Sequence, residues 1–161
     1  QNKKTHTDVV KAWVSNSNHR KLWASRVLEE MVLPGLKDPN ISVWGLSYKE
    51  NTHSIKNSPS LATIAAYPEI VFQVHDPVVR SSTTGLNNLR QFDTPISAVE
   101  NADCLMILTP WEDYKSIDLS EIAKAMRGNS LVDPFGLVEE QKAIKAGLKY
   151  VTLGRQNRAE T

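Results

Sequence analysis

At 161 residues, with 40% hydrophobic and 23% charged residues, the chain has enough apolar material for one compact domain with a core, and none of it reads as a disordered tract. Its 19 basic and 18 acidic residues leave a formal net charge of +1, which argues against a nucleic-acid footprint and leaves a small-molecule ligand as the expectation. A lone cysteine, Cys104, excludes an intrachain disulfide and fits a reducing cytoplasm, and no apolar run is long enough to span a membrane.

The chain opens on Gln1-Asn2-Lys3 without an initiator Met and without a secretory signature, as expected for a cytoplasmic fragment of a longer protein. From Thr7 to Met31 the pattern is helical, with Thr7 as N-cap and Asp8 placing negative charge at the positive end of the helix dipole. Val9, Val10, Trp13 and Val14 make one apolar stripe, and Trp23, Val27, Leu28 and Met31 make another. Ser15-Asn16-Ser17-Asn18 between them is poor helix material and predicts a break. Leu33-Pro34-Gly35 stops the helix, and Lys37-Asp38-Pro39-Asn40 is a turn. Residues 1–36 are accordingly expected to be a helical arm and residues 37–161 an α/β domain.

After Asn40, short apolar runs alternate with helical stretches. The runs are Ile41 to Leu46, Ile70 to Val74, Cys104 to Leu108, Ser130 to Val132 and Tyr150 to Leu153. Helical patterns fall near Ser58 to Ala66, Ile96 to Asn101, Leu119 to Met126 and Val138 to Ala146, and Val78 to Asn88 reads as a long loop or a short poor helix. Continuously apolar strands are covered on both faces, and their alternation with helices predicts a Rossmann-like, doubly wound, mostly parallel sheet of about five or six strands. Ligands in such sheets sit beyond the carboxyl ends of the strands. The segments to watch are therefore Ser47 to Asn57, His75 to Val79, Thr109 to Tyr114 and Asp133 to Leu137.

A dinucleotide-binding turn needs Gly-x-Gly-x-x-Gly after the first strand, because side chains would block backbone approach to the pyrophosphate. Only Gly45 is present, and Asp76 ends the second strand well past the roughly 20-residue spacing of a ribose-binding acid. The sheet is not expected to hold NAD by itself.

Four segments in register carry a resemblance. Val43-Trp44-Gly45-Leu46-Ser47-Tyr48-Lys49 followed by Asn51-Thr52 and Ser58-Pro59 resembles a GLxFK…NTxDxRxSP pattern. Val74-His75-Asp76-Pro77 resembles a YDP segment, Ala102-Asp103-Cys104 through Asp118-Leu119 resembles ADxLxILTxWxEF…DL, and Val132-Asp133-Pro134-Phe135 stands where VDxR is found. Asn16 and Arg20 are similar to a polar stretch on a central helix. These segments, running from about Asn16 to Asp133, resemble the C-terminal, UDP-sugar-binding domain of the UDP-glucose/GDP-mannose dehydrogenase family. The resemblance implies a three-part enzyme: an N-terminal NAD domain, a central dimerisation helix and this domain. The whole would oxidise the sugar C6 alcohol of a UDP-sugar to the UDP-uronate in two NAD-linked steps, through a cysteine outside this chain. No catalytic residue is expected here, and none for a metal.

The resemblance implies that Tyr48 and Lys49 contact the nucleotide-sugar. It implies that Lys56, in place of an arginine, reaches NAD held mainly by the other domain. Phe135 stands where an arginine helps bind the nucleotide-sugar; a phenyl ring cannot make that charge-assisted contact, but it can stack on a base or sugar. Each has a plainer reading as well: a snorkelling lysine for Lys49, strand-end packing for Tyr48, core packing for Phe135. His53 and Ser54 replace acids of the pattern; Trp111 and Asp113 follow a strand, where they can line the cleft or, in the plainer reading, serve as capping and packing, and Cys104 reads as a buried inert thiol. Exposed Trp13, Val14 and Trp23 suit a helix–helix homodimer contact. A non-catalytic nucleotide-binding or dimerisation module of the same fold is the alternative, and a receiver-like signalling domain lacks its acidic pair after the first strand.

Overall fold

The computed structural model describes residues 23–154. Six strands, β1 (Ile41–Trp44), β2 (Phe72–His75), β3 (Leu89–Gln91), β4 (Cys104–Ile107), β5 (Ser130–Val132) and β6 (Lys149–Val151), form one sheet in the order β3-β2-β1-β4-β5-β6. Every pairing is parallel. The order reverses between β1 and β4, which makes their carboxyl ends the switch point of a doubly wound sheet.

The helices start where the local chemistry dictates. Ser58, Thr94 and Asp118 cap α2 (Pro59–Ala65), α3 (Pro95–Val99) and α4 (Leu119–Ala125), each side chain accepting from a first-turn amide. Pro59 and Pro95 occupy first-turn positions where no amide is missed. Helix α5 (Glu140–Lys145) leads into β6. At the start of the described chain, α1 is helical over 23–27 and continues into a π-helical turn, Leu28–Val32. It ends before Gly35, whose φ of +83° only glycine takes without strain.

Alternation along each strand builds two cores. Val43, Phe72, Val74, Met106 and Val132 face α1 and α2, in a cluster with Ala24, Val27, Leu28 and Ile64. Trp44, Leu105, Ile107 and Leu131 face α3, α4 and α5, with Val99, Ile122, Met126 and Ala143. Fully burying a side chain of this kind contributes about 1.5–3 kcal/mol, and only β4 among the three central strands is wholly apolar, since β1 buries Ser42 and β2 buries Gln73 and His75. Trp23, expected to stand exposed on the arm, is partly buried against the first cluster, and the Tyr67 hydroxyl donates to the Ser25 carbonyl at 3.0 Å. The predicted break at Ser15 to Asn18, along with Trp13 and Val14, lies outside the described residues.

The sequence pattern misses β3. Its Leu89-Arg90-Gln91 sits on the sheet edge, half-exposed, so it needs no continuous apolar run. The loop before it holds only a short 3₁₀ turn, Ser81–Thr83. Strand β2 begins two residues later than the apolar run and includes His75, whose ring is buried.

Candidate functional site

The turn after β1 crosses the switch point. Gly45 takes φ +92°, and a Cβ placed there would meet Thr109 Cβ at 2.3 Å, so its bare backbone is needed for packing against the segment after β4. The next two amides, Leu46 and Ser47, donate to Oδ2 of Asp76 at 2.6 and 3.1 Å. The Trp111 indole donates to the same oxygen at 3.2 Å, and the Val78 and Val79 amides donate to Oδ1 at 2.9 and 2.8 Å. Asp76 therefore takes hydrogen bonds from three strand-end segments while remaining 5% exposed.

This arrangement does not fit the pyrophosphate of NAD. The amides that would cradle a phosphate after β1 are bound to an internal carboxylate, and the single glycine is spent on a side-chain contact. Asp76, which stands where a ribose-binding acid would be, is turned inward.

Beyond Ser47 the loop turns outward. Tyr48 is 45% exposed, and Lys49 and Lys56 are exposed. The loop closes on itself, with the Tyr48 amide donating to the Ser54 carbonyl at 2.7 Å, and Asn51 and Asn57 adopt φ +59° and +62°. Asparagine is the usual non-glycine residue in that region. His53 and Ser54 are exposed on the same loop. On the far side of β4, Phe135 follows β5 and is 39% exposed. At about 4.8 Å per strand, β1 and β5 lie roughly 10 Å apart. Tyr48, Lys49, Lys56 and Phe135 thus share one sheet edge, on two loops, with no direct bond between them among the described contacts.

Several polar groups beneath this edge are paired, while the Trp44 indole nitrogen at the end of β1 is buried without a hydrogen-bond partner. Buried His75 shares a 3.0 Å hydrogen bond between Nδ1 and the Tyr114 hydroxyl, and burial pushes the imidazole pKa down, against the pull of neighbouring Asp76. Burial also pushes the Tyr114 phenol up. Fully buried Asp133 accepts from the Phe135 and Val138 amides at 3.1 and 3.0 Å and from the Tyr150 hydroxyl at 2.9 Å. Burial, then the charge of Asp133, pushes the Tyr150 phenol up. Trp111 is buried, as the packing reading expected, whereas Asp113 is exposed. Cys104 is wholly buried, and desolvation pushes its thiol far above the ordinary range. Among the described residues no three His, Cys, Asp or Glu side chains gather as a metal site. Among the described residues this edge presents exposed Tyr48, Lys49, Lys56 and Phe135, while the one thiol, Cys104, is buried.

Sequence reasoning found the loops and missed the residues that hold them. Thr109, Ser58, Tyr114 and Tyr150 act through partners far along the chain. The one local signal was Asp-Pro directly after a strand, which occurs twice.

The sequence profile of the UDP-glucose/GDP-mannose dehydrogenase family, UDP binding domain, matches residues 42–140. The chain belongs to this family. Its matched stretch takes in β1 to β5 and every strand-end loop described above, so the switch-point edge is that of the family's UDP binding domain. Over 161 aligned residues the chain is 27% identical to UDP-glucose 6-dehydrogenase of Rhizobium meliloti (strain 1021), covering 96% of this chain and 36% of that protein. It is 27% identical to UDP-N-acetyl-D-mannosamine dehydrogenase of Methanococcus vannielii, covering 80% of this chain and 30% of that protein. Among solved structures, a UDP-glucose dehydrogenase from the archaeon Pyrobaculum islandicum superposes with a TM-score of 0.67 at 25% identity, over 87% of this chain and 31% of that one. The chain spans about a third of the length of the curated relatives it matches. Among the described residues no helix is long and apolar enough to cross a membrane.

Proposed function

We propose that this chain is the nucleotide-sugar-gripping part of an NAD-dependent nucleotide-sugar 6-dehydrogenase, a cytoplasmic homodimer joined through its helical arm that oxidises a UDP-sugar to a UDP-uronate. The observation that carries this reading is the loop after β1, which presents Tyr48 and Lys49 to solvent at the switch point of a UDP binding domain. Lys49 supplies a cation for the diphosphate or for the uronate, and Tyr48 an aromatic face for the sugar. Phe135, across β4, packs on the base or sugar instead of pairing with charge. Lys56, further along the first loop, meets NAD from across the cleft; the dinucleotide itself is held by a domain outside this chain, as the occupied Leu46 and Ser47 amides favour.

Titration calorimetry with UDP tests the reading. The chain should bind UDP, and Lys49→Ala should weaken binding by on the order of tenfold, the worth of one charge-assisted contact. Equal affinity in the variant would return Lys49 to the surface. Mixed with a UDP-sugar and NAD, the chain should form no NADH, since it carries no exposed thiol among its described residues; NADH formation would place the chemistry within this chain.

A further inference from the structure

Leu46-Ser47, just before the exposed Tyr48-Lys49 pair, is bound on every side. Both amides of Leu46-Ser47 go to Asp76 at 2.6 and 3.1 Å. The Leu46 carbonyl accepts from the Ser58 hydroxyl at 2.8 Å, and the Ser47 carbonyl accepts from the Thr109 hydroxyl at 2.8 Å. Asp76, Ser58 and Thr109 are all buried, and they come from the end of β2, the cap of α2 and the segment after β4. At a loop, water ordinarily satisfies such groups, and the loop moves with it. Here three side chains from three elements replace the water. The Ser47 hydroxyl adds a bond to the Lys49 carbonyl at 3.0 Å.

We propose that Asp76, Thr109 and Ser58 form a side-chain clamp that fixes the backbone of Tyr48 and Lys49 in its nucleotide-binding conformation, which makes Asp76 and Thr109 positioning residues for the nucleotide. The proposal rests on the reading of the β1 loop as a nucleotide contact. A loop ordered before the ligand arrives loses less conformational freedom on binding, so the clamp appears as affinity. Because the clamped amides are already satisfied, Asp76 acts through the side chains that follow and makes no contact of its own with the ligand.

That indirectness gives the test. UDP is titrated into the wild-type chain, Asp76→Asn, Lys49→Ala and the double variant, with a thermal melt on each. The asparagine keeps one acceptor and turns an NH₂ toward the remaining donors, so the loop is released and UDP binding should weaken by on the order of tenfold. In the Lys49→Ala background the same change should cost clearly less, because the contact it displaces is gone. Independent effects that multiply in full, or wild-type affinity in a folded Asp76→Asn, would overturn the clamp. Should Asp76→Asn fail to fold, Thr109 decides. Thr109→Val, of similar size, loses the hydroxyl and should lose UDP affinity, while Thr109→Ser keeps the hydroxyl and should retain it. Equal affinities in the two would overturn the clamp. A wild-type chain that takes no UDP overturns the nucleotide reading and the clamp with it, an outcome separate from wild-type binding that the variants leave untouched.

Discussion

Two turns of this sheet begin with the same dipeptide, Asp76-Pro77 after β2 and Asp133-Pro134 after β5, and the two carboxylates are used differently. Asp133 closes its own turn through the Phe135 and Val138 amides and reaches one neighbour, the Tyr150 hydroxyl at the adjacent β6. Asp76 also holds its own turn, through Val78 and Val79, but it joins that turn to the loop after β1 and to Trp111 beyond β4. One carboxylate shapes a loop; the other couples three. Strand order does not separate them, since β2 and β5 flank the β1–β4 switch point symmetrically; Asp76 bonds toward the switch point, whereas Asp133 bonds toward edge strand β6.

The largest expected effect breaks this comparison at its root. Asp76→Ala strands five donors from three segments, four of them buried, and should destabilise the domain by about 3 kcal/mol or more; Asp133→Ala strands three part-buried donors and should cost about 2 kcal/mol. Denaturant unfolding of both variants measures the gap. Equal losses would mean that the reach of Asp76 across strands adds nothing beyond its local turn.

The glycines of the two regions sharpen the contrast. Gly45→Ala must combine a φ of +92° with a Cβ only 2.3 Å from Thr109 Cβ, and should cost about 3 kcal/mol. Gly136→Ala, after β5, has φ +65° with nothing within 4 Å of the new Cβ, and should cost about 1 kcal/mol, the backbone penalty alone. The same unfolding measurement compares them, and a Gly45→Ala loss no larger than that of Gly136→Ala would show that the turn after β1 yields where the geometry says it is held.

What the sequence made legible is divided along the same line. The parallel sheet was readable because its central strands are buried on both faces and so are mostly apolar, without interruption in Cys104 to Ile107. Edge strand β3 was not, because Leu89-Arg90-Gln91 has one side facing water and carries no such run. Loop positions were readable from strand ends, and Tyr48, Lys49, Lys56 and Phe135 all lie exposed on the loops after β1 and β5. The clamp was invisible: Asp76 meets its amide partners across 30 and 29 residues, and Thr109 meets Ser47 across 62. No spacing rule spans such separations, because the register between strands sets them. Asp133 could be read further, since two of its partners lie within 5 residues.

The smallest expected change in stability belongs to Phe135→Arg, and it separates the shape of the β5 turn from what the turn presents. Phe135 holds the turn through its amide, bonded to Asp133 Oδ1 at 3.1 Å, and any residue other than proline supplies that amide. Its ring is 39% exposed, so an arginine keeps its guanidinium in water and no unpaired charge is buried. The melting temperature should therefore stay close to wild type, with a free-energy change of about 0.5 kcal/mol or less. Ligand preference is where the change should register. A planar guanidinium gains charge-assisted contacts with phosphate or sugar oxygens that a phenyl ring cannot make, and it gives up the apolar face that favours stacking. Titration with UDP-glucose, UDP-N-acetyl-D-mannosamine and GDP-mannose should show an altered order of affinities between Phe135→Arg and wild type. An unchanged order in a protein that melts normally would remove Phe135 from the binding edge, and a collapsed melt would show that the ring is needed for packing after all. Because the backbone bond to Asp133 survives the substitution, a normal melt with a changed order assigns the effect to the side chain alone.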